Sequence, residues 1–260
     1  MLGSIRVIYE DQDILVCHKA AGMATEGARA GRLDLISAAR NYLARKNREV
    51  DKGRQRNLPP YVATINRLDQ AVEGVIVLAK NKKAASDLAD QIKKRNATKY
   101  YYALCQGLFP EKEGEVTGFV IRREDTGLAQ VISEGVKDSF DEGAVTLENG
   151  EKVRLIGGDV KEAKLEYQVV AENDGVSLLR VHLLTGRFHQ IRVQLASLGH
   201  PILGDDKYGT ADSKALSEEM GIKNVCLAAY KYGIKHPGTK KYVEYEITPD
   251  NPAIKDMLPM

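Results

Sequence analysis

The run Val75–Ala79 constrains the fold of this chain more than any other part of the sequence. It is a continuous stretch of apolar residues, which is typical of a strand buried on both faces of a sheet. Asn81 then fits the N-cap of a helix. Apolar residues follow at helical spacing on one face, at Ala85, Leu88, Ala89 and Ile92. A buried strand joined to an amphipathic helix predicts a domain that contains both a sheet and helices.

Further patterns predict that the sheet is mostly antiparallel. An Asn-Asp-Gly turn between two apolar segments is a strong signal for a β-hairpin, and it predicts an α+β fold with a few helices flanking the sheet. The other predicted strands are Ile5–Tyr9, Ile14–His18, residues 98–107, Leu165–Val170 with Val176–Leu184, and Val225–Lys231 with Tyr242–Ile247.

Two more helices and one loop complete the expected architecture. Apolar residues from Leu35 to Leu43 recur at helical spacing. Residues 186–200 predict a helix that Gly199 ends, with one apolar face formed by Ile191, Leu195 and Leu198. The polar and basic residues 46–60, which end in two prolines, predict an exposed loop.

The charge is distributed unevenly along the chain. Residues 124–162 contain four Lys/Arg and ten Asp/Glu, a net of −6, whereas all 260 residues carry +2. The remainder therefore carries about +8, and a nucleic-acid-binding face would be drawn from it. We expect a single domain over residues 1–260, with residues 111–164 as a β-rich acidic insertion or subdomain.

The composition also argues against several classes of protein. No segment approaches the roughly 20 apolar residues of a membrane helix, and acidic residues stand where a signal peptide needs an apolar run. We therefore expect a cytoplasmic protein. Cys17, Cys105 and Cys226 lie far apart in apolar runs, so we expect core residues rather than disulfides or a zinc site.

Three groups of residues could carry chemistry. Asn66–Asp69 places a carboxylate beside an arginine before the buried strand, although these four residues alone favour a structural salt bridge. Residues 186–192 place Arg187, His189, Gln190 and Arg192 at a predicted helix start, where backbone amides and guanidinium groups bind phosphate; a solvated first turn is the alternative. Residues 100–102 are three tyrosines, which offer a stacking surface or plain packing.

Together these segments resemble the RluA-type pseudouridine synthases. NRLDQAVEGVIVLAK is similar to the family's His-Arg-Leu-Asp-x-x-Thr-Ser-Gly motif, and TKYYYALCQG to its Lys-x-Tyr-x-Ala-x-x-x-Gly strand. LLTGRFHQIRVQLASLGHPILGDDKYG matches the family's third motif along its whole length, and DILVCHKAAGM resembles its opening strand and turn. The resemblance spans roughly residues 5–250 and implies a mostly antiparallel sheet in two halves around a cleft. We expect a stand-alone catalytic domain without an N-terminal RNA-binding domain.

The resemblance also assigns roles to single residues. Asp69 matches the catalytic aspartate, Tyr101 the tyrosine against the target base, and Arg192 the arginine that pairs with the carboxylate. Arg67 matches the arginine at the gap left by a flipped base. Lys19 and the polar residues Arg187, His189 and Gln190 are expected to hold RNA. The partner implied is ribosomal or transfer RNA, rather than DNA or a membrane. No cofactor or metal is expected, because the isomerisation neither gains nor loses atoms.

The sequence departs from the family pattern at several positions. Asn66 replaces His, Val72 and Glu73 replace Thr-Ser, and Ala20 replaces Pro; Gln194 stands where a His is usual. These departures leave open an RNA-binding or RNA-remodelling protein that does not modify its target. A sugar hydrolase with paired carboxylates would need Glu73 as its second acid, and it leaves the GRFHQIR segment unexplained. The segment Arg45–Arg56, with its basic side chains Lys46, Arg48, Lys52 and Arg54, is a candidate for extra RNA contacts.

Overall fold

The computed structural model describes residues 5–28, 31–50 and 59–259, and it has an α+β fold with a mostly antiparallel sheet. The elements in chain order are β1 (Arg6–Glu10), β2 (Ile14–Lys19), α1 (Leu35–Val50), β3 (Ala63–Thr64), β4 (Glu73–Ala79), α2 (Lys82–Lys93), β5 (Thr98–Gln106), β6 (Glu113–Arg122), β7 (Ala129–Ile132), α3 (Glu134–Asp138), β8 (Ala144–Thr146), β9 (Lys152–Arg154), β10 (Lys161–Asn173), β11 (Val176–Leu183), α4 (Gln190–Ser197), α5 (Ala211–Glu219), β12 (Leu227–Lys235), β13 (Tyr242–Glu246) and α6 (Pro252–Asp256).

The chain divides into two compact units. The first unit comprises residues up to Lys99 together with Ala228–Asp250, and the second comprises Tyr100–Leu227 together with the residues from Asn251 onwards. Each unit has its own set of paired strands.

The first unit is built around β4, which is buried along its whole length. On one side β4 pairs antiparallel with β2, which is also fully buried and in turn pairs with β1. On the other side β12 joins β4 in parallel and pairs antiparallel with β13. Helix α2 begins at its N-cap Asn81, whose side chain accepts a hydrogen bond from the Ala84 amide at 2.8 Å.

Gly74 marks the closest approach of backbones in the first unit. Its φ of +140° is rarely adopted by residues that carry a side chain. A Cβ at this position would lie 2.4 Å from the Ala229 carbonyl oxygen of the parallel neighbour β12. The strand that follows the Asp69 segment therefore requires glycine at its second residue.

The second unit contains an antiparallel series of strands in the order β5, β11, β10, β6 and β7. The long hairpin of β10 and β11 turns at Asp174 and Gly175, both of which have a positive φ. The acidic segment adds the small β8–β9 pair. A separate apolar cluster lies in this part, formed by Ile121, Ile132, Val136, Val145, Val153 and Leu155.

The structure confirms most of the expected strands and corrects two helices. Helix α1 continues to Val50, so Lys46 and Arg48 are helical rather than in a loop, while residues 51–58, with Lys52 and Arg54, lie outside the described residues. Helix α4 begins only at Gln190, because His189 has left-handed backbone angles (φ 54°) that interrupt a helix.

The apolar face expected for α4 is also shorter than predicted. Ile191 and Leu195 are buried, but Leu198 is the C-cap residue and is 44 % exposed. Gly199 follows with a φ of +83° and ends the helix as expected.

No helix among residues 5–28, 31–50 and 59–259 has the length and apolar character that a membrane span requires.

Candidate functional site

Asp69 lies in a tight turn directly before β4. Its carbonyl oxygen accepts a hydrogen bond from the Val72 amide at 3.0 Å, and the residue is half-buried. The preceding Leu68 is buried and the following Gln70 is exposed. The local sequence thus carries the Asp69 carboxylate at the boundary between the apolar core and the surface.

Two neighbouring segments hold this turn on its backbone side. The Thr25 hydroxyl donates to the Leu68 carbonyl at 2.9 Å and accepts from the Leu68 amide at 3.3 Å. The Gly22 amide donates to the Gln70 carbonyl at 2.8 Å, and the Gln70 side-chain amide donates to the Gly22 carbonyl at 3.0 Å. Bonds on both sides of Asp69 restrict its backbone, which limits the positions that its carboxylate can reach.

The contacts of Lys19 differ from the phosphate contact that the resemblance implied. Its side chain is fully buried at the end of β2. The ammonium group donates to three backbone carbonyls, those of Ala20 at 3.2 Å, Met23 at 2.7 Å and Gln70 at 3.3 Å. A buried ammonium held in this way fixes the turn beside Asp69 and is not exposed to a phosphate.

The electrostatic setting of Lys19 is correspondingly unusual. Burial lowers the pKa of Lys19 to about 8, and the nearby charges of Asp69 and Glu73 act in the opposite direction. The buried Lys19 ammonium is therefore a positive charge close to Asp69.

Arg67 lies on the exposed side of the same segment. Its side chain is 70 % exposed, and its Nη1 lies 3.4 Å from Glu26 Oε1. An exposed ion pair of this kind contributes little to stability. The guanidinium group is therefore exposed two residues before Asp69, and its contact with RNA stays a prediction.

Glu73 forms part of a buried polar network in the first unit. It is 4 % exposed, its Oε2 accepts the Asp250 amide at 3.1 Å, and the same oxygen lies 3.4 Å from His18 Nε2. Its carboxylate therefore does not face solvent.

Together, His18, Glu73 and Asp250 offer three potential metal ligands within 4.8 Å of one another. Arg6 Nη1, however, lies 3.1 Å from His18 Nδ1 and 3.0 Å from Asp250 Oδ1. Since a cationic side chain already lies against this group, we interpret it as an ion network that fastens the segment after β13, and we assign no metal to it.

Tyr101 lies in the middle of β5, opposite Val181 on β11. It is 7 % exposed, whereas its neighbours Tyr100 and Tyr102 are half-buried on the other face of the strand. Tyr100 stacks on His182, with ring centroids 4.5 Å apart. The structure thus separates the three tyrosines between two faces, as the alternation of a strand requires.

Arg192 forms a buried ion pair with Asp205. Its Nε donates to Asp205 Oδ2 at 2.7 Å, and its Nη2 donates to Asp205 Oδ1 at 2.6 Å. Both side chains are almost fully buried, with 5 % and 0 % exposure. Burial raises the pKa of Asp205, but the hydrogen bonds and the charge of Arg192 outweigh this effect and hold the pKa below its usual value.

The residues around Arg192 are more structural than the sequence suggested. Gln190 is 3 % exposed, and its Oε1 accepts from the Thr185 hydroxyl at 2.8 Å and from the Arg187 amide at 3.0 Å. These bonds use the Gln190 side chain to shape the loop before α4, and its contact with RNA stays a prediction from the resemblance.

His189 and Arg187 have different exposures. His189 is 8 % exposed; its Nδ1 lies 2.7 Å from the Tyr208 hydroxyl, and its ring stacks on Phe188. A direct contact between His189 and RNA does not fit this enclosed position. Arg187 is half-buried, and its Nε donates to the Glu162 carbonyl at 2.7 Å. Of the residues expected to bind RNA, Arg67 thus has an exposed side chain.

The comparison with known sequences decides the family. A family described as RNA pseudouridylate synthase matches residues 13–197 of the chain. The chain belongs to the RluA-type RNA pseudouridine synthases. It is therefore an isomerase of the RNA-modifying class.

The relatives and a solved structure agree with this assignment. An uncharacterised RNA pseudouridine synthase of Aquifex aeolicus is 32 % identical over 251 residues, which cover 94 % of this chain and 69 % of the relative. The dual-specificity RNA pseudouridine synthase RluA of Yersinia pestis is 27 % identical over 87 % of this chain and 94 % of its own. Human RNA pseudouridylate synthase domain containing 1 has the same fold, with a TM-score of 0.70 at 23 % identity over 99 % of this chain and 89 % of that one.

The sequence did not predict the buried contacts of two side chains in this pseudouridine synthase, those of Asp205 and Lys19. Asp205 stood inside the quoted third motif without a role, and Lys19 was assigned a role that requires exposure. The third motif did contain a signal for Asp205, since a carboxylate thirteen residues after Arg192 follows a glycine at a turn. Burial of Lys19 had no such signal, because lysine is almost never fully buried.

Proposed function

We propose that this chain converts specific uridines to pseudouridine in structured ribosomal or transfer RNA, with Asp69 as the catalytic carboxylate. The observation that carries the proposal is the turn of Asp69 itself. A half-buried carboxylate is held from two sides by backbone bonds, has the buried charge of Lys19 nearby, and stands two residues from the exposed Arg67. This arrangement suits an ionised carboxylate that acts beside an RNA backbone.

The chemistry of the reaction fits a single carboxylate. The bond between the ribose carbon 1′ and uracil nitrogen 1 breaks, the base rotates, and the ribose is joined to carbon 5. Nitrogen 1 gains a proton and carbon 5 loses one, so atoms and electrons balance. A carboxylate can serve as the nucleophile or as the base that takes the proton. The attack of Asp69 on the sugar, its attack on the base, and proton abstraction are three routes consistent with this scheme.

The resemblance assigns Tyr101 and Arg192 to the same reaction. The target base must leave its stack, which costs a few kcal/mol. Stacking on a tyrosine ring returns about 1–3 kcal/mol per base, and Tyr101 is the matching residue. Arg192 is proposed to pair with Asp69 and favour its charged form.

The names of related proteins support ribosomal RNA as one substrate class, and transfer RNA is the second class that the resemblance implied. Relatives in Vibrio cholerae and Salmonella typhimurium are ribosomal large subunit pseudouridine synthases, while the Yersinia pestis relative is of dual specificity. We therefore propose ribosomal RNA, transfer RNA or both as substrates. A cytoplasmic location, where such RNA is modified, remains a prediction from the sequence.

The first test is a reaction with purified components. Transcripts of large-subunit ribosomal RNA and a pool of unmodified transfer RNAs are incubated with the protein, and pseudouridines are mapped by chemical labelling and primer extension. We expect modification at one or a few positions in at least one class of RNA. Binding of these RNAs without modification at any position would instead favour the RNA-binding or RNA-remodelling protein that the sequence departures suggested.

Replacing Arg67 with alanine tests the proposed contact with RNA. We expect KM for RNA to rise by about tenfold, and the salt dependence of binding to decrease by about one phosphate contact. Thermal unfolding should be unchanged, because the pair with Glu26 is exposed. Arg154→Ala is the matched control, since Arg154 is an exposed arginine within the acidic segment. Equal RNA binding by both variants would remove Arg67 from the RNA contact.

A further inference from the structure

The role proposed for Arg192 requires a fixed orientation of its guanidinium group, and the contacts of Arg192 show what fixes it. The two hydrogen bonds to Asp205 use Nε and Nη2, one edge of the planar guanidinium group. A bidentate pair of this kind fixes both the position and the plane of the group, which a single bond cannot do. Nη1 is the nitrogen that lies outside this edge.

Asp205 is itself held in place by its own loop. Its Oδ1 accepts from the backbone amides of Lys207 at 2.9 Å and Tyr208 at 3.2 Å. Its carbonyl accepts the Gly209 amide at 2.9 Å, and its own amide donates to the Ile202 carbonyl at 3.3 Å. A carboxylate anchored by its side chain and by its backbone is a rigid support for Arg192.

The loop that carries Asp205 is packed too tightly to tolerate side chains at its glycines. A Cβ on Gly204 would lie 2.2 Å from the Asn224 carbonyl oxygen, and a Cβ on Gly209 would lie 2.4 Å from the Asp205 carbonyl oxygen. Gly204 also has a φ of +74°, and its amide donates to the Ser217 hydroxyl at 2.9 Å. The positions of these two glycines, one on each side of Asp205, leave its carboxylate little freedom to move.

Tyr208 restricts the guanidinium group from a second direction. Its ring centroid lies 5.2 Å from the central carbon of the Arg192 guanidinium. The Tyr208 hydroxyl accepts the Ala129 amide at 2.9 Å and lies 2.7 Å from His189 Nδ1. His189 thus acts, through Tyr208, on the same side chain that Asp205 holds at its edge.

We infer that Asp205 is a positioning residue for the isomerisation, which holds one edge of Arg192 and so fixes the plane of its guanidinium group. The inference rests on the proposed function, because it takes from that proposal the pairing of Arg192 with Asp69. It adds a residue that acts through Arg192 and does not touch the RNA. Losing it should therefore lower kcat and leave KM for RNA nearly unchanged.

The test compares the single-turnover and steady-state kinetics of four variants with those of the wild type. The substrate is an unmodified transcript of the RNA that the wild type modifies. We expect Asp205→Asn to lower kcat by about 10²-fold, as removal of one oriented charged partner does in other active sites, with KM within about threefold of wild type. Asp206→Asn, on the exposed neighbouring carboxylate, is the matched control and should keep the wild-type kcat. The remaining proteins are Arg192→Gln and the double variant Arg192→Gln/Asp205→Asn.

The double variant separates a positioning role from a merely structural one. If Asp205 acts through Arg192, the change to asparagine should have almost no further effect on kcat once Arg192 is glutamine. A loss of kcat of the same size in both backgrounds, or wild-type kcat in Asp205→Asn, would overturn the inference. Thermal unfolding of each variant is measured in parallel, and the neutral Gln–Asn pair avoids leaving a buried charge alone.

Three further outcomes are distinguishable. If Asp205→Asn does not fold, Asp205→Glu replaces it, because glutamate keeps the charge but displaces the edge of the Arg192 guanidinium group. A reduced kcat of Asp205→Glu with a normal melting temperature supports the inference, and a wild-type kcat overturns it. If Arg192→Gln turns over RNA like the wild type, the role proposed for Arg192 fails and this inference fails with it. If Arg192→Gln is inactive while Asp205→Asn is normal, only the inference fails.

Discussion

The Asp69→Asn variant is expected to lose pseudouridine formation by at least about 10³-fold, because an amide can neither attack as a nucleophile nor take a proton. Asparagine has almost the same shape as aspartate, and the bonds that hold the turn involve the backbone of Leu68, Gln70 and Val72 rather than the carboxylate. The fold should therefore be retained. The measurement is pseudouridine formed per enzyme in a single turnover, together with thermal unfolding.

The control for this prediction is a carboxylate in the same unit with no proposed role. Asp90 is exposed on α2, and Asp90→Asn should turn over RNA like the wild type. RNA binding by Asp69→Asn should persist, since binding depends on basic and aromatic side chains. Turnover by Asp69→Asn close to that of the wild type would disprove the assignment of Asp69.

Lys19→Met is expected to have the largest effect on stability. The three carbonyls of Ala20, Met23 and Gln70 lose their common donor inside the protein. Hydrogen bonds to a charged group contribute about 1.5–3 kcal/mol each, and hydration of the carbonyls of the exposed residues Ala20 and Gln70 should leave a loss of about 2–4 kcal/mol in the free energy of unfolding. Turnover should fall at least tenfold as well, since a displacement of about 1 Å at the turn misplaces Asp69. Denaturant unfolding and single-turnover assays measure the two effects.

The exposed Lys83 on α2 provides the matched control for Lys19. Lys83→Met removes a solvated ammonium group and should leave both stability and turnover near the wild type. Unchanged unfolding of Lys19→Met would show that the three carbonyls do not depend on the buried ammonium.

Stability should also depend on pH through Lys19. Burial lowers its pKa from 10.5 to about 8 in the folded protein, so the unfolded chain holds the proton more tightly between these values. Stability rises with pH wherever the unfolded state binds more protons. The wild type should therefore gain up to about 3 kcal/mol over Lys19→Met as the pH rises from about 8 to about 10.5, an upper limit because the carbonyl bonds favour the ammonium form. A difference between the two proteins that stays constant over this range would contradict the prediction.

The fold could be predicted wherever a local pattern determines the structure. The apolar run before Asn81 predicted strand β4 and the helix after it, and the Asn-Asp-Gly turn predicted the β10–β11 hairpin. Both predictions were possible because burial of a strand and the geometry of a turn are determined by a few neighbouring residues. The end of α1 could not be predicted in this way. Good helix formers such as Ala44, Arg45 and Lys46 extend the helix past the last apolar residue of its buried face.

The sequence motifs proposed which residues form the candidate site, but they did not predict the contacts around those residues. Asp69, Tyr101 and Arg192 came from motifs, but motifs do not reveal which polar side chains are enclosed. Gln190 is buried because its side-chain amide forms hydrogen bonds within the loop from Thr185 to Arg187 and with β10. These bonds depend on the packing of β10 against that loop. Pairs such as Arg192 with Asp205 depend equally on how the chain returns to itself.

The most direct test of the central claim is a map of pseudouridine in total RNA from the source cell, with and without the gene. Deletion strains are complemented with the wild-type gene or with the Asp69→Asn gene. We predict that one or a few sites in ribosomal or transfer RNA lose pseudouridine on deletion and regain it only with the wild-type gene. Recovery of the same sites by the Asp69→Asn gene, or a map that does not change on deletion although the protein and its RNA are expressed, would contradict the account.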